Sequence, residues 1–481
     1  MILAIDAGTT GITALAVDAS GSIVARGYTE FPQHYPQPGW VEHDLNEIWD
    51  ATVFSVKQVL DQINTPILAI GITNQRETVG IWDKTTLKPE CNAIVWQDRR
   101  TTKILEELNA GPSVQRLTGL PLDPYFSASK LRWIAKNNKA VWEKVISGSA
   151  VVGTIDTFLM AKLTNGKVHA TDASNASRTQ LYDIHTGDWC NDLLDLFEIP
   201  KHALATVTDS SGVIGNTNPE SFFGLDVPIA GVAGDQQAAL FGQTQFEVGG
   251  AKCTYGTGAF ILQNAGPIAR VQDNGLITTV AWQLNNKITY ANEGSVFVSG
   301  AAVQWLRDEL KIISNAAEIE ELARTVSDNG GLVFVPALTG LGAPYWQPDA
   351  RGTVFGLTRG TQRGHLARAT LEALAFQVRD VFDAMNAELS TLRVDGGASA
   401  NNLLMQIQTD LLQTTIERPK QLESTALGAA YLAGLGIGLW NMADLKNLNP
   451  VESQFTPKSN LDSEYRRWKN AVQATISFAN H

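Results

Sequence analysis

Near its start the chain reads Ile2-Leu3-Ala4-Ile5, then Asp6-Ala7-Gly8-Thr9-Thr10-Gly11, then Ile12 to Val17. Two apolar strands around a glycine- and threonine-rich turn make a hairpin. Its tip is mostly backbone N–H and small hydroxyls. Such a tip can wrap an anion, because glycine lets the backbone approach closely and tolerates positive φ. Asp6 ends the first strand and would repel phosphate, so a magnesium ion between carboxylate and phosphate reconciles the two. Asp, Gly and Thr are also ordinary turn formers, and a plain hairpin turn is the competing reading. The pattern recurs at 251–263, where Ala251-Lys252-Cys253-Thr254-Tyr255 leads through Gly256-Thr257-Gly258 into Ala259-Phe260-Ile261-Leu262. A third glycine turn, Val394-Asp395-Gly396-Gly397-Ala398-Ser399, follows a short strand and precedes a helix.

This layout is similar to that of the actin, hexokinase and sugar-kinase superfamily, in which two similar domains close on a nucleotide. The fold it implies is α/β: two actin-like, ribonuclease H-like domains with a cleft between them. At 481 residues the chain has room for both. Hydrophobic residues make up 44% and charged residues 18%, enough for large cores and against global disorder. The second hairpin begins after 243–250, which places the domains at 1–245 and 246–481. A formal net charge of −12 argues against nucleic acid as a bulk partner, though not against a small anion held by backbone groups. Cys91, Cys190 and Cys253 are too scattered for a disulfide framework or a zinc spacing, which fits a reducing cytoplasm. The N-terminus lacks the basic region of a signal peptide, and no apolar run approaches the ~20 residues of a spanning helix. Gly434-x-Gly436-x-Gly438 follows a helix instead of opening one, so it is no dinucleotide fingerprint.

Several apolar strands end in polar residues, which is where open α/β sheets bind ligands. Ile67 to Thr73 runs into Asn74-Gln75-Arg76-Glu77, and Ile94-Val95-Trp96 into Gln97-Asp98-Arg99-Arg100. Val227 to Ala233 leads into Gly234-Asp235-Gln236-Gln237 and a helix through Phe241. Each has a plainer alternative: a surface ion pair for Arg76 and Glu77, a core position for Trp96, and a helix cap for Asp235. Tyr125 lies in a segment that reads as a loop feeding an amphipathic helix, as either a binding residue or a packed aromatic. Asp44 with Glu47 predicts a capping pair for a helix carrying Leu45, Ile48, Val56, Val59 and Ile63. Further helices are predicted over 299–310, 366–389 and 424–436, with one capped by Asn401 or Asn402 and a last one carrying Tyr465, Trp468 and Val472.

The chain resembles the FGGY family of carbohydrate kinases over nearly its whole length, and within it the branch that phosphorylates glycerol. Tyr125 to Ile134 fits one family signature, and Gly352 to Glu372 fits the second. Gly39-Trp-Val-Glu-His-Asp44, Ile72-Thr-Asn-Gln-Arg-Glu77, Trp96-Gln-Asp-Arg-Arg100, Gly234-Asp-Gln-Gln-Ala-Ala-Leu-Phe-Gly242, Gly340-Leu-Gly-Ala-Pro-Tyr-Trp346 and Arg393-Val-Asp-Gly-Gly397 carry the branch. The resemblance implies ATP-dependent phosphorylation of glycerol to sn-glycerol 3-phosphate, with ATP and Mg2+. It implies that Arg76 and Glu77 bind the hydroxyls, helped by Tyr125 and Gln236, and that Trp96 and Phe260 wall the carbon chain. Asp235 would take the hydroxyl proton. Thr9, Thr10 and Thr257 would hold phosphates, Asp6 would act on the metal, and Gly300, Gln304, Gly397 and Asn401 would line the nucleotide site. A cytoplasmic homo-oligomer, dimer or tetramer, is implied as well, with no nucleic acid and no integral membrane segment.

Three features depart from the branch. Its members usually carry Gln at position 7, serines at 11 and 12 and Arg at 13, where this chain has Ala7, Gly11, Ile12 and Thr13. Residues 216–224 lack the basic glycine-rich loop by which some members bind fructose bisphosphate, and Ser221 stands where others carry a phosphorylatable histidine. A kinase for another polyol or sugar, a nucleotide-driven actin-like binding protein and a non-catalytic relative are the rival readings.

Overall fold

The computed structural model describes residues 1–108 and 110–479. Strands β1 (Ile2–Ala7), β2 (Gly11–Val17) and β3 (Ile23–Glu30) form an antiparallel meander, and β1 also pairs in parallel with Ala69–Asn74. The full sheet has six strands, in the order Ser211–Asn216, Pro228–Gly234, Ala69–Asn74, β1, β2, β3. A second sheet of seven strands runs Ile277–Leu284, Lys287–Val296, Ala259–Gly266, Gly250–Tyr255, Thr391–Asp395, Ile416–Pro419, Val451–Phe455. Each sheet thus places an antiparallel hairpin beside parallel strands, as the two-domain α/β expectation requires.

The apolar residues of β1 and β2 are buried on both faces, which is why the hairpin reads as a continuous apolar run rather than an alternating one. Helix α1 (Leu45–Leu60) covers one face with Leu45, Ile48, Val56 and Val59. The other face is covered by Ser424–Gly436, a helix from the far end of the chain, whose Ala426, Leu427, Ala430 and Tyr431 pack on Ile2, Ala4 and Leu15. Gly71 makes that approach possible, since a Cβ there would run into the Ala429 carbonyl.

Local differences from the sequence reading have local causes. Asp44 caps α1 through the Asn46 N–H at 2.8 Å, but Glu47 instead binds His34 Nε2 at 2.8 Å, so no reciprocal capping pair forms. The helix ends before Ile63. The strand expected to start at Ile67 begins at Ala69, and the one expected over Ile94-Val95-Trp96 is confined to Ala93–Ile94. Gly300–Asp308, Arg363–Met385 and Ser424–Gly436 are helical as expected, and Asn401 caps Asn402–Leu412.

Candidate active site

Both glycine–threonine turns sit at the C-terminal ends of their sheets' leading strands. In the first, Gly8 N–H donates to the Gly11 carbonyl at 3.0 Å; in the second, Gly256 N–H donates to the Gly258 carbonyl at 2.9 Å. Thr9 accepts from Trp96 Nε1 at 3.0 Å through its Oγ1 and from Gln33 Nε2 at 2.7 Å through its carbonyl, so the first tip is held from two sides. Thr10, Thr257 and Gly256 are exposed. Gly300 N–H reaches back to the Gly256 carbonyl at 2.9 Å, and Gly396 packs on Tyr255. The three segments expected to hold the nucleotide therefore converge. Gly397 faces open space and Gln304 is exposed one turn into its helix. Asn401 Oδ1 is occupied in capping, accepting from Leu404 N–H at 2.9 Å.

At the end of Ala69–Asn74 the chain makes a tight turn, with Glu77 at φ 61° in the left-handed region. Such strain in a non-glycine residue persists only where the surroundings impose it. Here they do: Ser127 Oγ donates to the Glu77 carbonyl at 2.8 Å, and Thr78 Oγ1 to Gln75 Oε1 at 2.8 Å. Arg76 and Glu77 are no surface pair, being 2% and 1% exposed. Arg76 Nη1 and Nη2 grip Glu293 at 2.7 and 3.0 Å, while Arg76 Nε faces Asp235 Oδ1 at 3.2 Å. Arg178 closes the array, donating to Glu77 at 2.6 Å and to Glu293 at 3.1 Å. Burial works against the Glu293 carboxylate, but Arg178 and Arg76 outweigh it and hold its pKa at about 2. Burial wins at Glu77, whose carboxyl is raised despite the same two guanidinium groups.

Asp235 is the first residue of Asp235–Gly242, and Gly234, not Asp235, is its N-cap. Its Oδ1 accepts from Gln236 N–H at 2.7 Å, which leaves Oδ2 directed elsewhere. Gln236 Oε1 is taken by Lys252 Nζ, and Lys252 also reaches Thr254 Oγ1 at 3.0 Å. A lysine can only donate, so Gln236 Oε1 is the acceptor and its amide N–H group takes no part in that bond. Tyr125 packs edge-on against Trp96 at 5.5 Å and its carbonyl accepts from buried Lys130 at 2.7 Å. Lys130 spends its three N–H groups on the carbonyls of Pro124, Tyr125 and Phe126 and so pins that loop. Phe260 is half-buried on the outgoing strand of the second hairpin, opposite Thr254.

Asp6 stands at the end of β1, where burial first, then Asp235 and Glu423, raises its carboxyl to about 8. A cation bound beside Asp6 would favour its ionised form against this burial. Among the described residues no three carboxylate, histidine or cysteine groups form a cage, so a metal here would be held by one carboxylate and the phosphates, as Mg2+ commonly is.

The structure thus gathers Asp6, Arg76, Glu77, Trp96, Tyr125, Asp235 and Gln236 around the ends of the first sheet's strands. It adds Arg178, Glu293 and Lys252, which carry no local motif. Comparison with known proteins agrees with this architecture. The N-terminal domain profile of the FGGY family of carbohydrate kinases matches residues 1–242, and the C-terminal domain profile matches 251–437. The chain is 50% identical to glycerol kinase 2 of Thermotoga maritima, covering 99% of each chain. It is 52% identical to glycerol kinase of Petrotoga mobilis over 98% of this chain and 97% of that one. The solved structure of Plasmodium falciparum glycerol kinase with ADP superposes with a TM-score of 0.93 at 37% identity, covering 98% of both chains.

Proposed function

The chain belongs to the FGGY family of carbohydrate kinases, and from that premise we propose that it acts as a glycerol kinase, transferring the γ-phosphoryl group of ATP to a primary hydroxyl to give sn-glycerol 3-phosphate. One observation carries the reading into this chain's own residues: an arginine and two carboxylates, Arg76, Glu77 and Asp235, converge at adjoining strand ends below a glycine–threonine hairpin. A triol needs both donors and acceptors, and this set supplies them.

In the proposed mechanism Arg76, Glu77, Tyr125 and the amide N–H group of Gln236 orient glycerol, with Trp96 and Phe260 along its carbon chain. Asp235 takes the proton from the attacking hydroxyl through Oδ2. The tips at Thr9–Thr10 and Thr257 hold phosphate oxygens, while Gly300, Gln304, Gly397 and Asn401 line the nucleotide. Asp6 would hold Mg2+, which neutralises phosphate charge when bound. Phosphoryl transfer asks mainly for positioning and electrostatic stabilisation, and two domains divided near residue 245 can supply both. ATP consumption measured against glycerol, other polyols and pentuloses tests the reading; a preference for a pentulose would overturn it. On the same footing we assign a homo-oligomer, dimer or tetramer, and a cytoplasmic location. Among the described residues no helix is long and apolar enough to cross a membrane.

Regulation by fructose bisphosphate is expected to be absent. Residues 216–224 contain no cation, and Phe222 in their midst is buried against Trp49 at 6.1 Å. Charge-assisted bonds from cations are the strong ones to a phosphate, and this loop offers none. Titrating the effector to millimolar levels should leave the rate unchanged; inhibition that persists as salt is lowered would contradict this.

A further inference from the structure

The face of the first sheet that carries Asp6 continues onto a tyrosine. Asp6 lies opposite Thr13 in β2, and Thr13 lies opposite Tyr28 in β3. Directly paired residues share a face, so the three side chains form a row. Gly11, two residues before Thr13, belongs to the same face. A Cβ on Gly11 would lie 2.8 Å from the Tyr28 hydroxyl and 2.9 Å from its Cε2. The ring therefore leans from its own strand back along β2 towards the hairpin tip, and its hydroxyl ends over Gly11. Glycine at 11 is what leaves room for it.

The perch is a firm one. Gln58 of α1 holds the Tyr28 backbone from both sides, accepting from its N–H at 2.9 Å and donating to its carbonyl at 3.3 Å. Among the described residues the hydrogen bonds of Tyr28 are all made by its backbone, and the residue is 39% exposed. Arg26, on the same face of β3, lies with its guanidinium carbon 5.6 Å from the Tyr28 ring centroid. Arg26 also faces Glu423, the residue before Ser424–Gly436, at 3.4 Å. A phenol with a cation over its ring thus stands at the anion-wrapping tip, beside a position that offers only the Thr13 hydroxyl.

The geometry points to Tyr28 as a phosphate-contacting residue of the first hairpin, its hydroxyl donating to an oxygen of the nucleotide's terminal phosphates, with Arg26 as the positioning residue that holds the ring. This rests on the reading of that hairpin as a phosphate site. A hydrogen bond from a neutral donor to a charged acceptor is among the stronger kinds.

Tyr28→Phe keeps the ring and removes only the hydroxyl. It is expected to lower kcat/KM for ATP by ~10-fold or more, with KM for glycerol and the melting temperature unchanged. Arg26→Met should fall in the same direction by less. In a Tyr28→Ala background, where the place is vacated, Thr13→Arg should recover part of the lost kcat/KM for ATP. Thr10→Val serves as the control on the hairpin itself. If Thr10→Val impairs ATP use and Tyr28→Phe stays within twofold of wild type, the Tyr28 proposal is overturned and the hairpin reading stands. If neither variant changes ATP use, both fall.

Discussion

Asp235→Asn is expected to abolish most turnover with glycerol while leaving the fold in place. The side chain is 29% exposed, so its substitution disturbs little packing. Asparagine keeps an oxygen for the Gln236 N–H, which Asp235 Oδ1 meets at 2.7 Å, and for Arg76 Nε at 3.2 Å. What changes is the second position: an amide N–H group donates where the carboxylate oxygen accepted. In the proposed mechanism the attacking hydroxyl then has no acceptor for its proton. General-base contributions are typically ~10²–10⁴-fold, and kcat should fall by that order with KM for ATP nearly constant. Steady-state kinetics with a melting curve on the same preparation decide the matter. Turnover within a few-fold of wild type would remove Asp235 from the role.

Arg76→Ala is expected to cost both stability and glycerol binding. The wild-type guanidinium is bound to Glu293 by two nitrogens at 2.7 and 3.0 Å, in a setting 2% exposed. Removing one partner of a buried pair costs about 3–5 kcal/mol, because the other charge stays behind. Arg178, at 3.1 Å from Glu293, still partners it and should bring the loss to the lower end of that range. The pH dependence has a definite sign. Glu293 titrates at about 2 against an ordinary 4.5, so its contribution is present above pH 4.5 and is lost as pH falls through 2. With Arg76 gone that depression shrinks, and the acid-unfolding midpoint should move up. Glycerol should suffer far more than ATP, since a site built to hydrogen-bond hydroxyls loses heavily when one partner goes. Should Arg76→Ala fold too poorly for kinetics, Arg76→Lys retains the charge but not the two-pronged grip. Equal rises in KM for both ligands in that variant would sink the substrate role and leave a purely structural ion pair.

Much of this protein was written locally. The two hairpins were legible because continuous apolar strands flank Gly8-Thr9-Thr10 and Gly256-Thr257-Gly258, and pairing between neighbours in sequence needs no distant partner. The Ala- and Gly-rich helix Ser424–Gly436 and the cap at Asn401 were legible for the same reason. Arg76, Glu77 and Asp235 stood out by following apolar strands. Burial removes the surface-pair reading of Arg76 and Glu77, and Gly234 rather than Asp235 takes the cap position.

The rest needed the fold. Arg178, Glu293 and Lys252 have no spacing that marks them, because a lone charge in a sequence is by default a solvated one. Glu293 lies 217 residues from Arg76 and 115 from Arg178, and becomes their partner only when the second sheet's strand Lys287–Val296 meets the end of Ala69–Asn74. The tilt of Tyr28 over Gly11 likewise depends on register between strands, which sequence fixes loosely and packing fixes tightly. Sequence by itself determined the strands, turns and reactive residue types, since those are set by neighbouring residues. Which charges are buried, and against what, was decided by tertiary structure alone, because desolvation and pairing are properties of the space around a group and not of its place in the chain.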